Sequence, residues 1–422
     1  MKPVYFDDLV NLCSELSTNE NKLLPLCAAE NVISPFSKIP LDTFLQEKYI
    51  MGGVINYQQE SNFVGSKNLY KIYELLSLQC NKLYGCKYAD ARTLSGVNAV
   101  MTLLMSLFSS GDKILISSEE CGGHGSMPKI CHRLGINTIE MPYNYDIYDF
   151  NYNEINEILR KEKINGILIC LSDIIIMPQL NKIDLPEECV LIFDATQILG
   201  LIATNSMENP LQWFADKQKF ILMGATHKTL PGPTCGLIMT NNLDLANQFD
   251  TLINPDYLRN SQLHHIFSLI LTLMELEIYG KQYCSSVVNN ANFLATALVK
   301  NNFDIIKVAP KYTYTHQIFI SMPESDARKF YNKCLDYGVS INLRNKKLYK
   351  TCGLRIGTQE ISRYGWNEKE MFAISEILRD IRDMEYFSQD ISNKINMISL
   401  NKKICYTCLL YTSPSPRDRQ KS

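Results

Sequence analysis

The residue types that could do chemistry centre on Lys228. It stands in Ile221-Leu-Met-Gly-Ala-Thr-His-Lys-Thr-Leu-Pro-Gly-Pro-Thr-Cys-Gly236, where a short apolar run ends in one lysine beside Thr226, His227 and Thr229, followed by a tight Pro/Gly turn. An amine at the end of a buried strand is partly desolvated, which lowers its pKa and makes it a nucleophile towards an aldehyde. Upstream, Cys189-Val-Leu-Ile-Phe-Asp194 reads as a buried strand ending in a carboxylate. Further upstream, Thr93-Leu-Ser-Gly-Val-Asn98 is a Ser/Gly turn that opens the apolar stretch to Phe108, and the free N–H groups at such a helix start suit a phosphate. A lysine for a Schiff base, a carboxylate for a protonated pyridine nitrogen and a phosphate cup are the three demands of pyridoxal phosphate. Each alone has a plainer reading, a lone lysine after a strand being most often a solvated loop charge.

Five segments carry a more specific pattern. Leu26-Cys-Ala-Ala-Glu-Asn31, Glu119-Glu-Cys-Gly-Gly-His124, Asp194 with Gly200-Leu-Ile-Ala203, Thr226-His-Lys-Thr-Leu-Pro-Gly-Pro233 and Leu354-Arg-Ile-Gly-Thr358 resemble serine hydroxymethyltransferase, in that family's order over roughly residues 20 to 385. Pro231 and Thr315-His-Gln317 bring the pattern nearest to the divergent L-threonine transaldolase-like branch. The resemblance implies a fold-type-I enzyme of the α/β class, with a mainly parallel seven-stranded sheet in a large domain and a smaller C-terminal α/β domain. It implies a homodimer with active sites at the subunit interface, and a cofactor, pyridoxal 5'-phosphate, held by Lys228.

By the same resemblance Lys228, Tyr49 and His124 are catalytic, His124 stacking on the cofactor ring. Ser95, Gly96, Val97, Asn98, Ser172, Asp194, Gln197, His227 and Gly236 join His124 and Lys228 in binding the cofactor, and Tyr57 reaches a phosphate from the neighbouring subunit. Arg355, with Tyr49, holds substrate; a planar guanidinium suits a carboxylate. The chain departs from the family at several of these positions. Ala29 replaces a serine, Met51 a glutamate used in proton transfer, Gln197 a histidine, and Pro231 and Thr234 two arginines. Neither Met nor Gln exchanges a proton, although Glu60 could restore a carboxylate. These losses favour aldol or transaldol chemistry at the Cα–Cβ bond of glycine, threonine or serine over folate-dependent hydroxymethyl transfer, and make tetrahydrofolate doubtful. Racemisation, transamination and a degenerate non-catalytic homologue are the alternatives.

The elements that must position these residues follow from pattern and composition. With 422 residues, 46% of them hydrophobic, the chain can bury two sizeable cores. Residues 1–25 read as an N-terminal arm helix (Leu9, Leu12, Leu16), 26–253 as the large domain and 254–398 as a linking helix with the small domain. Within the last stretch His265–Tyr279 and Ser285–Leu298 read as two helices, and Gln317–Ser321, Val339–Asn342 and Gly353–Ile356 as strands. A net charge of −2 without a basic block gives no nucleic-acid footprint, and there is neither a signal-peptide pattern nor an apolar run of membrane-spanning length. A soluble cytoplasmic protein is the expectation, with its fourteen cysteines reduced and mostly buried. Cys405-Tyr-Thr-Cys408 lacks a second pair for a metal site. Residues 399–422 read as disordered, and Tyr411–Ser422 contrasts with the Ile/Asn/Lys-rich body strongly enough to suggest foreign sequence.

Overall fold

The computed structural model describes residues 5–55 and 64–408. Tyr57, Glu60 and the 411–422 tail lie outside them. Seven strands form the large sheet, in the spatial order Tyr88–Thr93, Pro231–Thr240, Phe220–His227, Val190–Asp194, Gly166–Cys170, Lys113–Ile116 and Asn137–Glu140. The pairs among the last five are parallel, and Pro231–Thr240 runs antiparallel to both its neighbours, so six strands share one direction. Strand alternation gives each strand two apolar faces. Leu191, Phe193 and Leu222 enter one core and Ile192, Ile221 and Met223 the other. The helix Gly96–Leu107 supplies the second core and the long helix Leu263–Lys300 the first.

The turn expected across residues 231–236 is instead part of a strand. Phe220–His227 and Pro231–Thr240 make a hairpin, and the extra residues are absorbed as a register shift between Pro231 and Gly236. The two helices expected after residue 264 are one helix of 38 residues. Gly280, between the two expected helices, packs closely: a Cβ on it would sit 2.5 Å from Thr204 Cγ2. Burial on both sides outweighs glycine's helix penalty of about 1 kcal/mol.

The smaller sheet has the order Asp304–Ile305, Gln317–Ser321, Gly353–Gly357 and Asn342–Arg344. The strand expected at Val339–Asn342 is split, Val339–Ser340 pairing instead with Leu24–Pro25. Leu354 and Ile356 enter the small-domain core with Ile318 and Ile320. Arg355 therefore falls on the opposite face, where its cross-strand partner Phe319 packs with Ile175 of the large domain. Ordered chain continues past residue 399. Cys405 N–H donates to Arg363 O at 2.7 Å and Trp366 Nε1 to Asn401 O at 3.2 Å, so residues 401–408 lie against the small domain.

One buried charge network fixes the loop that follows Tyr49. Arg92 binds Asp90 and Asp250 at 2.6 and 2.7 Å and donates to Gly52 O at 2.9 Å. Asp250 in turn accepts the backbone N–H groups of Val54 and Ile55. Removing one member of a buried ion network leaves the others uncompensated. Asp250→Ala is expected to cost about 3 kcal/mol of stability, seen as a lowered urea midpoint; an unchanged midpoint would show that the network does not hold the fold.

Candidate active site

Because six strands run the same way, their carboxyl ends collect at one edge, where open α/β sheets bind ligands. Cys170 and Asp194 are both terminal residues and are paired in register, while His227 ends the next strand and Lys228 follows it. Asp194 is held from two sides. Its Oδ1 accepts Thr196 N–H at 2.9 Å and the Thr196 hydroxyl at 2.5 Å, and its Oδ2 accepts the Cys170 thiol at 2.9 Å. Burial, then the Asp194 charge, pushes the Cys170 thiol well above its ordinary value, so it stays a neutral donor.

The turn that carries Lys228 is fastened on each flank. Thr229 Oγ1 donates to Gln197 O at 2.9 Å and accepts Gly200 N–H, Thr226 Oγ1 donates to Pro233 O, and Asn31 Nδ2 binds Lys228 O and the Tyr283 hydroxyl. The small-domain side chain Gln359 donates to Cys27 O and Glu30 O, holding the segment that brings Asn31 in. Burial, then the Arg355 charge, lowers the Lys228 amine to about 8, against an opposing pull from Asp194. The same cause acts on the neighbouring imidazoles. Burial, with Lys228 next, takes His227 to about 4, and burial lowers His124, so both are neutral at pH 7.

His124 is presented by a loop that needs its glycines. Gly122 has φ +99°, and a Cβ there would meet Asp173 O at 2.4 Å. His124 N–H donates to Cys170 O at 2.9 Å, and its Nδ1 accepts Ser126 N–H at 3.2 Å, which leaves the ring proton on Nε2. At the phosphate turn, Ser95 is the N-cap of Gly96–Leu107, its Oγ accepting Asn98 N–H at 3.2 Å. The first-turn N–H groups of Gly96 and Val97 have no partner within the helix.

Arg355 reaches this edge from the small domain. It donates through Nη1 to Ser172 O at 2.5 Å and Asp173 Oδ1 at 3.3 Å, and through Nη2 and Nε to Asn342 Oδ1. Although burial pushes the Asp173 carboxyl up, the charges of Arg355, Lys346 and Arg344 bring it down to about 2. Asp173, Asn342, Lys346 and Cys170 all act at the site, and no pattern in the sequence marks them; their partners lie on other strands. His316 could have been found, since it sits in the Thr315-His-Gln317 motif. It is fully buried, its Nε2 lies 3.1 Å from Ala28 O, and its Nδ1 has no partner.

A cavity of about 210 Å³ opens between these elements. Ser95, Gly96, Val97, His124, Ser172, Asp194, Gln197, His227 and Lys228 line it. Four expected residues do not. Arg355 is bonded to Ser172 O of the wall but does not line the cavity itself. Gly236 packs behind the phosphate turn, where a Cβ would strike Thr93 Oγ1 at 2.3 Å, so it shapes the sheet rather than the cavity. Asn98 turns its side chain back to accept Leu94 N–H at 2.9 Å. Tyr49 is 41% exposed on the loop after Phe44–Glu47 and does not reach the cavity wall of its own chain.

The residues present suit pyridoxal phosphate. Two buried polar atoms on the cavity wall, Gln197 Oε1 and His227 Nδ1, have no hydrogen-bond partner among the described residues and are free to meet a polar ligand. A lysine with a lowered pKa, a buried carboxylate and a helix start surround the same space. This arrangement, at the strand ends of a mainly parallel seven-stranded sheet with a smaller C-terminal domain, is that of the fold-type-I pyridoxal-phosphate-dependent transferases, and the chain is one of them.

Comparison with known proteins narrows the class. The family model described as serine hydroxymethyltransferase matches residues 5–378, and the chain belongs to that family. Serine hydroxymethyltransferase of Staphylothermus marinus is 28% identical over 392 residues, covering 89% of this chain and 87% of its own length. That of Archaeoglobus fulgidus is 29% identical over 367 residues, covering 84% and 82%. Among solved structures, L-threonine transaldolase from Pseudomonas fluorescens in its internal aldimine state superposes with a TM-score of 0.87. It is 21% identical and covers 95% of this chain and 93% of that one.

The depressed lysine pKa has a direct readout. The neutral amine is the reactive form, so its reactivity rises with pH through the pKa. Competitive acetylation of the cofactor-free protein, read by mass spectrometry, is expected to reach half its maximum at Lys228 near pH 8, whereas exposed lysines do so near their usual 10.4. A Lys228 profile matching the surface lysines would contradict the buried placement.

Proposed function

We propose that this protein uses pyridoxal phosphate on Lys228 to make and break the Cα–Cβ bond of glycine and 3-hydroxy amino acids, with threonine as donor and an aldehyde as acceptor. The observation that carries the reading is that Lys228, Asp194 and His124, from three separate chain segments, line one cavity, while Arg355 from a fourth is bonded to Ser172 O of its wall. When bound, pyridoxal phosphate supplies an electron sink for the pair released at Cα. Asp194, fixed by Thr196 and Cys170, keeps a proton on the pyridine nitrogen, without which the sink is weak. Ser95, Gly96 and Val97 offer the helix start to the phosphate, and Gln197 hydrogen-bonds a cofactor or substrate oxygen. Ser172 and His124, both on the cavity wall, would hold the cofactor's phenolic oxygen and ring.

Arg355 would grip the substrate carboxylate and so orient the bonds at Cα for cleavage. Lys228, near its pKa at mildly alkaline pH, takes up and returns a proton as the substrate amine enters and leaves. The neutral imidazoles of His124 and His227 move protons near the reacting carbon without bringing a charge into the pocket. Tyr49 and Tyr57 belong, in this reading, to the neighbouring subunit's site.

The proposed assembly is a homodimer that covers this edge. Val97, Met101 and Met105 recur every four residues on the helix that opens at the phosphate turn, and each is exposed. The arm helix Phe6–Lys22 has no buried residue, and Leu9, Leu12 and Leu16 are exposed on it. Both faces need apolar partners. We take residues 26–253 and 254–398 as the two domains after a 1–25 arm. A cytoplasmic location accords with fourteen free cysteines, and no helix among the described residues is long and apolar enough to cross a membrane.

Folate-dependent hydroxymethyl transfer from serine is the second reading, favoured by the family match. The two separate in one assay. The purified protein with pyridoxal phosphate is expected to show a bound-cofactor absorbance that Lys228→Ala abolishes, and to release acetaldehyde from threonine without folate. Formaldehyde transfer from serine that requires tetrahydrofolate, with no acetaldehyde from threonine, would establish the second reading instead. For the dimer, Met101→Glu is expected to yield monomers in sedimentation and to weaken cofactor retention; a dimer unaffected by that charge would place the interface elsewhere.

A further inference from the structure

Asn342–Arg344 pairs with Gly353–Gly357 so that Asn342 stands opposite Arg355 and Arg344 opposite Gly353. Residues two apart on a strand share a face, so Arg344 lies on the Arg355 face, and the glycine opposite leaves room for its side chain to lean towards Arg355. Both guanidinium groups touch the same oxygen. Arg344 Nε is 3.0 Å and Arg355 Nη1 3.3 Å from Asp173 Oδ1, which also accepts the Tyr349 hydroxyl at 3.0 Å. Lys346 Nζ holds Asp173 Oδ2 at 2.8 Å. Three cations therefore surround one carboxylate.

The three are not equivalent. Arg355 and Lys346 are buried and have further acceptors in Ser172 O, Asn342 Oδ1 and Gly123 O. The Arg344 side chain is 25% exposed, and among the described residues Nε makes its only hydrogen bond. Among the described residues its two terminal nitrogens have no hydrogen-bond acceptor, and Asp173 is its one ion-pair partner. Once a substrate amino acid places its carboxylate on Arg355, two anions face three cations. The uncompensated charge is then Arg344, with a fork suited to a planar oxyanion.

We propose that Arg344 is a specificity-determining residue that receives a carboxylate carried by the acceptor aldehyde, so that the enzyme prefers acidic aldehydes to neutral ones. This rests on the transaldol reading above and adds the substrate class. An arginine that served only to neutralise Asp173 would be redundant beside Arg355 and Lys346, and its loss would affect all acceptors alike.

The test uses the holoenzyme with threonine as donor and a matched pair of acceptors, 4-formylbenzoate and benzaldehyde. The wild type is expected to favour 4-formylbenzoate by roughly tenfold or more in kcat/KM, the scale of one charge-assisted hydrogen bond, with the difference residing in KM. Arg344→Met is expected to bring the ratio to about one by raising KM for 4-formylbenzoate, and Arg344→Lys to retain part of the preference. Arg344→Gln replaces the methionine variant should that one fail to fold. A wild-type ratio near one, a preference that survives Arg344→Met, or an equal loss on both aldehydes would overturn the inference. Acetaldehyde release with neither aldehyde consumed would overturn it while leaving threonine cleavage standing. Absence of acetaldehyde release sinks the transaldol reading, and this inference with it.

Discussion

Parallel pairing in register is the constraint on which the rest of the molecule depends. Cys170 is aligned with Asp194, and the strand beside them ends at His227, so the thiol, the carboxylate and the lysine turn reach one edge together. A slip of one residue would send Asp194 to the other face of the sheet and its core neighbours to the edge. Leu191 and Phe193 fit one close-packed core and Ile192 the other, so that slip would force side chains of the wrong shape into both. The apolar content of the strands thus sets the geometry of the polar atoms at their ends.

The second constraint is electrostatic and joins the two domains. Asp173 follows the strand Gly166–Cys170 in the large domain, and its partners Arg344, Lys346 and Arg355 come from the small one. A buried carboxylate is costly unless paired. Its pairing holds Arg355 beside Ser172 of the cavity wall and brings Lys346 to Gly123 O, next to His124. Burial first, and after it the Arg355 charge reaching across the domain boundary, lower the Lys228 amine.

Much of this was legible in the chain. The strand endings at Asp194 and His227, the N-cap at Ser95 and the glycines before His124 each follow from local rules, since a buried run, a cap and a positive φ are properties of a few adjacent residues. Local rules failed where distant packing took over. His265–Tyr279 and Ser285–Leu298 read as two helices, whereas one continuous helix runs through both, with Gly280 packed against Thr204. Pro231–Gly236 reads as a turn until the neighbouring strands absorb its extra residues. Gly236 and Asn98 belong to the expected phosphate site by motif, yet one packs into the sheet and the other caps its own turn.

The sequence by itself determined the chemical kit: a lysine and a carboxylate at strand ends, a Ser/Gly helix start, a strand arginine, and Ala29, Met51 and Gln197 in place of the serine, glutamate and histidine that the resemblance leads one to expect. These are matters of residue type, which the order of the chain carries directly. Only the tertiary structure decided how the kit is charged. That Asp194 is held by Cys170, that Arg355 is shared with Asp173 and Asn342, and that Arg344 pairs with Asp173 all depend on residues tens to hundreds of positions apart. Hydrogen bonds and charge balance act over a few ångströms of space, and spacing along the chain does not encode that distance.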